Sequence, residues 1–217
     1  MLPKVVLFQG DSITDAGRSR GEDSNPGYSY ANRVMGTLGY QYPYQYQFYN
    51  RGISGDRVVD LYARIRKDMI RLKPDYASIL IGINDVWHEY TEKNGVEAVK
   101  FEMVYSLLIE ELLRELPNLK LMLMEPFVLP GSATMTDEEH PGRWEFFEKE
   151  TDLRRKAVKR LAEKYDLMFV PLYDKFVAVN ANAPAENYWL FDGVHPTPAG
   201  HALIQEAWLE GFSRLVD

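Results

Sequence analysis

The 217-residue sequence contains no cysteine, so disulfides and thiolate chemistry are excluded and a reducing compartment costs the fold nothing. It also lacks any excess of positive charge. Its 25 Lys and Arg stand against 32 Asp and Glu, a formal net charge of −7, whereas a protein that tracks a phosphate backbone carries a basic face. Nucleic acid is therefore not an expected partner. Long apolar runs are missing too. The opening MLPKVVLFQGD offers one Lys and a short apolar run before it turns polar, too little for a signal-peptide core or a membrane span. The expectation is a cytoplasmic protein with no membrane partner. Histidine is scarce, at positions 88, 140, 195 and 201 only, and no H-x-x-x-H pair is present to hold zinc on one helix face. A metal set drawn from Asp192, His195 and His201 is conceivable, but Pro196 and Pro198 prevent a regular helical array of ligands; no metal is expected. The G-x-G-x-x-G, G-x-x-x-x-G-K-[ST] and G-x-S-x-G signatures are absent as well, which removes the usual handles for dinucleotides, P-loop nucleotides and the α/β-hydrolase elbow.

What remains is an ordinary globular composition, 46% apolar and 26% charged, too apolar for disorder. A chain of this length can bury about 70% of its unfolded surface, and one domain over 1–217 is expected. Short apolar runs at Val5–Gln9, Tyr46–Asn50, Tyr76–Ile81, Lys120–Met124 and Met168–Pro171 read as strands. Helical patterns fall between them, at about Tyr28–Leu38, Asp56–Leu72, Val96–Leu116 and Phe146–Tyr165, with a last one at Pro198–Leu215. This alternation predicts a doubly wound, three-layer α/β/α sandwich on a five-stranded parallel sheet. No repeat or linker stands out, but Pro126–Trp144 and Ala181–Asp192 are irregular, and loops of that length in a compact domain tend to be functional or mobile.

Four stretches carry candidate chemistry. In VVLFQGDSIT, residues 5–14, a buried strand runs into Gly10, Asp11 and Ser12; small Gly10 lets the chain turn sharply there. Ser12 would then lie beyond a strand's carboxyl end, where such folds bind ligands. A serine in that position is also a common turn former or cap. In DGVHPTPAGH, residues 192–201, Pro196 biases His195 away from the helical region. Asp192 can then reach His195 Nδ1 and leave Nε2 free to take a proton from a serine hydroxyl. Taken alone, the same spacing fits a pair that only ties down a loop end. Thr197 and Pro198 have the pattern of a helix cap and first helical residue. In NRGISGDR, residues 50–57, Gly55 sits between a strand and a helix, where unpaired N–H groups could face an anion; a positive φ alone would also ask for glycine. In IGINDVW, residues 81–87, Asn84 has a side-chain NH₂ to offer developing negative charge, or else caps a turn beside Asp85.

Together, GDSIT, the Gly of ISGD, the Asn of GIND and the D-x-x-H resemble the SGNH hydrolases, or GDSL esterase/lipase family, over nearly the whole chain. The resemblance implies a flavodoxin-like fold and a serine esterase that needs no metal or organic cofactor. Ser12 would be the nucleophile, His195 its base and Asp192 the orienting acid, while Ser12 N–H, Gly55 N–H and Asn84 NH₂ would bind the oxyanion. Ile83 departs from relatives that have a small residue there, which should alter shape more than chemistry. Within the family, GDSITDAGR, GINDVW and DGVHPTPAGH look most like compact bacterial acetylxylan esterases without a secretion signal. The implied substrate is a small ester, an acetylated xylo-oligosaccharide. A lipid or thioester hydrolase on the same scaffold, or a non-catalytic carbohydrate-binding protein, are the alternatives, and assembly into a homo-oligomer stays open.

For substrate contact the candidates are Asp11, Trp87 and Trp189, with Trp144, Tyr188 and Phe191 nearby. Large aromatics also serve cores and subunit interfaces. Arg18 and Arg20 either bind a polar substrate or pair with Glu22 and Asp23, the latter being the default for exposed charges.

Overall fold

Five apolar runs pair as one parallel sheet in the computed structural model, which describes residues 2–216. The strands are β1 (Lys4–Gly10), β2 (Tyr46–Asn50), β3 (Tyr76–Leu80), β4 (Lys120–Met124) and β5 (Met168–Val170), in the spatial order β2-β1-β3-β4-β5. The helices are α1 (Ser12–Asp15), α2 (Tyr30–Gln41), α3 (Val58–Asp68), α4 (Ile83–Glu92), α5 (Ala98–Glu115), α6 (Arg143–Lys164), α7 (Tyr173–Asn180) and α8 (Pro198–Val216). No helix among the described residues is long and apolar enough to cross a membrane.

Strand periodicity sorts the core into two halves. Val6, Phe8, Leu80, Met122 and Met124 face one side, where Val34 and Leu38 of α2, Phe176 of α7 and Ile204, Trp208 and Phe212 of α8 cover them. Leu7, Ala77, Ile79, Leu121 and Leu123 face the other, against Leu61 and Ile65 of α3, Phe101, Tyr105 and Leu108 of α5, and Val158 and Leu161 of α6. Both faces of the inner strands are buried, so these strands read as continuous apolar runs rather than alternating ones. This is the three-layer α/β sandwich that the alternation predicts.

The differences lie where local pattern is weak. Helices α1, α4 and α7 were not expected. The helix predicted over Asp56–Leu72 is α3 plus a separate 3₁₀ turn at Ile70–Leu72, because Met69 leaves helical geometry and Lys73 adopts a positive φ of 47° before Pro74. Strand order reverses around β1, which lies between β2 and β3. A doubly wound sheet binds ligands at such a switch point, beyond the strands' carboxyl ends. Ser12, Gly55 and Asn84 follow the ends of β1, β2 and β3 respectively.

Candidate active site

Ser12 opens α1 directly after β1. Asp11 caps this single turn, its Oδ1 accepting from Ile13 N–H at 3.0 Å. Gly10 is required by close approach: a Cβ there would lie 2.4 Å from Leu80 O and 2.5 Å from Thr14 Oγ1. The serine hydroxyl is part-buried, with its Oγ 3.1 Å from His195 Nε2, although 183 residues separate the two in sequence.

The turn at 192–195 is built by one carboxylate. Asp192 Oδ1 accepts from the Val194 N–H at 2.9 Å and the His195 N–H at 2.8 Å, while Oδ2 lies 2.7 Å from His195 Nδ1. A carboxylate that is acceptor-only requires the proton on Nδ1, so Nε2 presents its lone pair to Ser12. The Asp192 hydrogen bond raises the His195 pKa above 6.5; burial opposes it, and the charges of Asp192 and Asp11 add to it. Burial of Asp192 works against its ionisation, but the hydrogen bonds from His195 and Val194 outweigh it and lower its pKa. Downstream, Thr197 Oγ1 donates to Tyr188 O and accepts from Gly200 N–H, fixing the start of α8.

Sequence reasoning missed what braces this turn. Leu129 N–H donates to Gly193 O at 2.9 Å and Ala133 N–H to Asp192 O at 3.0 Å. Buried Thr134 donates its hydroxyl to Leu129 O at 2.7 Å. The irregular stretch Pro126–Trp144, of a length that tends to be functional or mobile, thus ties its first half to the base-bearing turn. Gly193, at φ +99°, passes so close that a Cβ would lie 2.4 Å from Leu129 O.

On the other side, neither Ser12 N–H nor Gly55 N–H has a hydrogen-bond partner among the described residues. Gly55 has φ +86° and open space where a Cβ would stand. Asn84, in the first turn of α4, donates one Nδ2 proton to Asp56 O at 3.1 Å and keeps the other. Asp15 was also missed: its Oδ2 holds Ser54 N–H at 2.9 Å, Ser54 Oγ at 3.0 Å and Arg20 at 2.7 Å, joining the end of α1 to the loop that carries Gly55. Asp85, fully buried, accepts from Val58 N–H at the start of α3. These bonds hold three strand-end loops in one framework whose free donors suit a negatively charged oxygen.

The other candidate residues take different places. Asp11, expected to touch substrate, is fully buried, and burial pushes its pKa up to about 7; it offers a ligand no surface. Trp189 donates its indole N–H to Val179 O at the end of α7. Trp87 stands edge-on to His195 with ring centroids 6.2 Å apart, resting on Phe147. Ile83 is buried in the core. Arg20 pairs with Asp15, and Asp23 is taken by Arg51 instead. His201 is buried, its Nδ1 accepting from Tyr30 N–H, and burial lowers its pKa to about 4. Among the described residues no three His, Asp or Glu side chains gather as a metal-ligand set.

Residues 8–203 match the GDSL-like Lipase/Acylhydrolase family. The chain is 38% identical to an acetylxylan esterase of Geobacillus stearothermophilus over 216 residues, covering 94% of this chain and 91% of that protein. Its fold superimposes on a crystal structure of that species' acetylxylan esterase with a TM-score of 0.81 at 33% identity, over 97% of this chain and 95% of the other. A GDSL-like lipase structure from Parabacteroides merdae gives a TM-score of 0.86 at 35% identity, with 98% of each chain covered.

Proposed function

Because this chain belongs to the GDSL-like lipase/acylhydrolase family and is a carboxylic ester hydrolase of that kind, we propose that it removes acetyl groups from xylo-oligosaccharides, as one domain, through Ser12, His195 and Asp192. The observation that carries this reading is the relay of Ser12 Oγ, His195 and Asp192, joined at 3.1 and 2.7 Å, beside the unpartnered N–H groups of Ser12 and Gly55. In the first step His195 Nε2 takes the Ser12 proton as Oγ bonds to the ester carbonyl carbon. The carbonyl oxygen becomes an oxyanion, which Ser12 N–H, Gly55 N–H and the free Asn84 proton stabilise. The intermediate collapses, His195 returns the proton to the departing sugar hydroxyl, and an acetyl-serine remains. Water, deprotonated by the same nitrogen, then attacks that ester, releasing acetate and restoring Ser12.

The acetyl and xylo-oligosaccharide assignments rest on the likeness to the Geobacillus enzyme. Lipid or thioester hydrolysis on this scaffold predicts the opposite response to chain length. A small acyl pocket rejects longer chains by overpacking, whereas an acyl groove gains about 0.8 kcal/mol for each buried CH₂. The test is acetate release from acetylated xylo-oligosaccharides, together with kcat/KM for esters from acetate to octanoate. A falling slope with acetate released supports the proposal; a rising slope, or untouched acetyl sugars with thioesters turned over, overturns it.

A further inference from the structure

Beside the loop that carries Gly55 lies a cleft of about 410 Å³, whose wall includes Ile53, two residues before that glycine. Four cationic side chains line it, Arg18, Arg20, Arg51 and Lys67, against two carboxylates, Asp23 and Asp68. The local charge is thus +2 in a protein whose total is −7. The two carboxylates are already engaged. Asp23 takes a two-pronged bond from Arg51, and Asp68 pairs with Arg64. Arg20 is held by Asp15. Arg18 and Lys67 are left with no carboxylate at ion-pair distance among the described residues.

Arg18 is held in place all the same. Its Nε donates to Gly52 O at 2.7 Å, while its Nη2 has no partner among the described residues. The backbone carbonyl fixes the guanidinium without neutralising it. Burial is the main influence that lowers its pKa, Asp15 opposes this, and the nearby cations Arg51, Arg20 and Arg64 lower it by lesser amounts. An anion entering the cleft would meet the free Nη2, and a planar guanidinium matches a carboxylate in two-pronged geometry.

We infer that this cleft binds the carboxylate of an acidic sugar, a uronic-acid unit carried by the oligosaccharide whose acetyl group is presented to Ser12. The inference rests on the esterase reading for its link to turnover, but not for binding itself. Ile53 of the cleft wall stands two residues before Gly55, the candidate oxyanion donor, so one loop joins the cleft to the candidate site. Its volume is ample for a sugar ring and far exceeds what free acetate fills.

Two measurements test it. In thermal-shift titrations at fixed ionic strength, glucuronate should stabilise the protein and glucose should not; the response should vanish in Lys67→Glu and in Arg18→Gln, which keeps an N–H for Gly52 O. Lys67 is exposed on α3, so its variant remains informative should Arg18→Gln not fold. In turnover, the ratio of kcat/KM for uronate-bearing over neutral acetylated xylo-oligosaccharides should be about tenfold in the wild type, the scale of one charge-assisted hydrogen bond. That ratio should approach one in either variant, and at 1 M salt, where charges are screened within about 3 Å. Equal responses to glucuronate and glucose, or a response that survives both substitutions, overturn the site. Glucuronate binding without any turnover preference would overturn its role in substrate choice, leaving the free anion as the ligand. No acetate release from any acetylated xylo-oligosaccharide, with glucuronate still bound, would instead sink the proposed xylo-oligosaccharide deacetylation alone.

Discussion

His195 must be neutral to take the Ser12 proton and must then survive as an imidazolium, and the hydrogen bond to Asp192 serves the second demand at some cost to the first. Only the neutral ring accepts a proton, so kcat/KM falls as pH drops through the His195 pKa. That pKa is raised by Asp192, so the acid limb should lie above pH 6.5 rather than at it. Asp192→Asn removes the main raising influences and leaves burial, which lowers the pKa, opposed only by the smaller effect of Asp11. The limb should therefore move to lower pH while kcat falls by up to about 10⁴-fold, through loss of the tautomer that frees Nε2. A pH-rate profile of both proteins checks this, and an unmoved limb would contradict the assignment. Asn84→Ala should cost about 2.7–4 kcal/mol of transition-state stabilisation in kcat, the range for one oxyanion donor. Ser12, His195 and Asp192 were legible because their motifs set the local geometry: a strand end, a proline and a three-residue spacing. Asp15 was not. Its partners Ser54 N–H and Oγ lie 39 residues away, and nothing around Asp15 points to them.

Elements place these side chains, and the least legible element does much of the placing. Residues 126–134 have no periodicity to read: they form no regular element, and beside local turns at Gly131 and Thr134 their N–H groups at Leu129 and Ala133 donate to Gly193 O and Asp192 O, about sixty residues on. Helix α4 escaped for a different reason. It starts at Ile83 from Gly82 at φ +131°, so the residues that look like a functional block are also its first turn. The five strands and the long helices α2, α3, α5, α6 and α8 were readable because each buries a regular apolar face. The bracing of the base turn gives a prediction at this scale. Gly193→Ala forces a Cβ toward Leu129 O at 2.4 Å and into a φ of +99°, and should cost about 1–3 kcal/mol. Calorimetry should show Tm lower by about 2–4 °C per kcal/mol, with kcat reduced as Asp192 and His195 lose alignment. Unchanged Tm and kcat would mean that the loop does not brace the turn.

At the scale of the whole molecule, the parallel sheet followed from the alternation of elements, whereas the strand order, with β1 between β2 and β3, did not. Composition alone does not say which strand lies beside β1. Buried titratable groups also tie the fold's stability to pH. His201 has its pKa lowered to about 4, so the folded state favours the neutral ring. Its contribution is complete above the unfolded value of about 6.5 and is lost as pH falls toward 4, about 3 kcal/mol in all. Asp11, pushed up to about 7, works in the opposite sense, destabilising the fold as pH rises from the ordinary carboxylate range through 7. Denaturant unfolding of wild type and His201→Asn should therefore converge as pH drops from 6.5 to 4, and a constant gap would contradict the burial argument. The central claim, that this fold presents Ser12 as an activated nucleophile, is tested most directly by rapidly quenching turnover of an acetyl ester and mapping the covalent adduct by mass spectrometry. One acetyl group should appear on the peptide containing Ser12, and neither adduct nor turnover in a folded Ser12→Ala protein. Near-normal turnover in Ser12→Ala, or an acetyl group on another residue in its place, would contradict it.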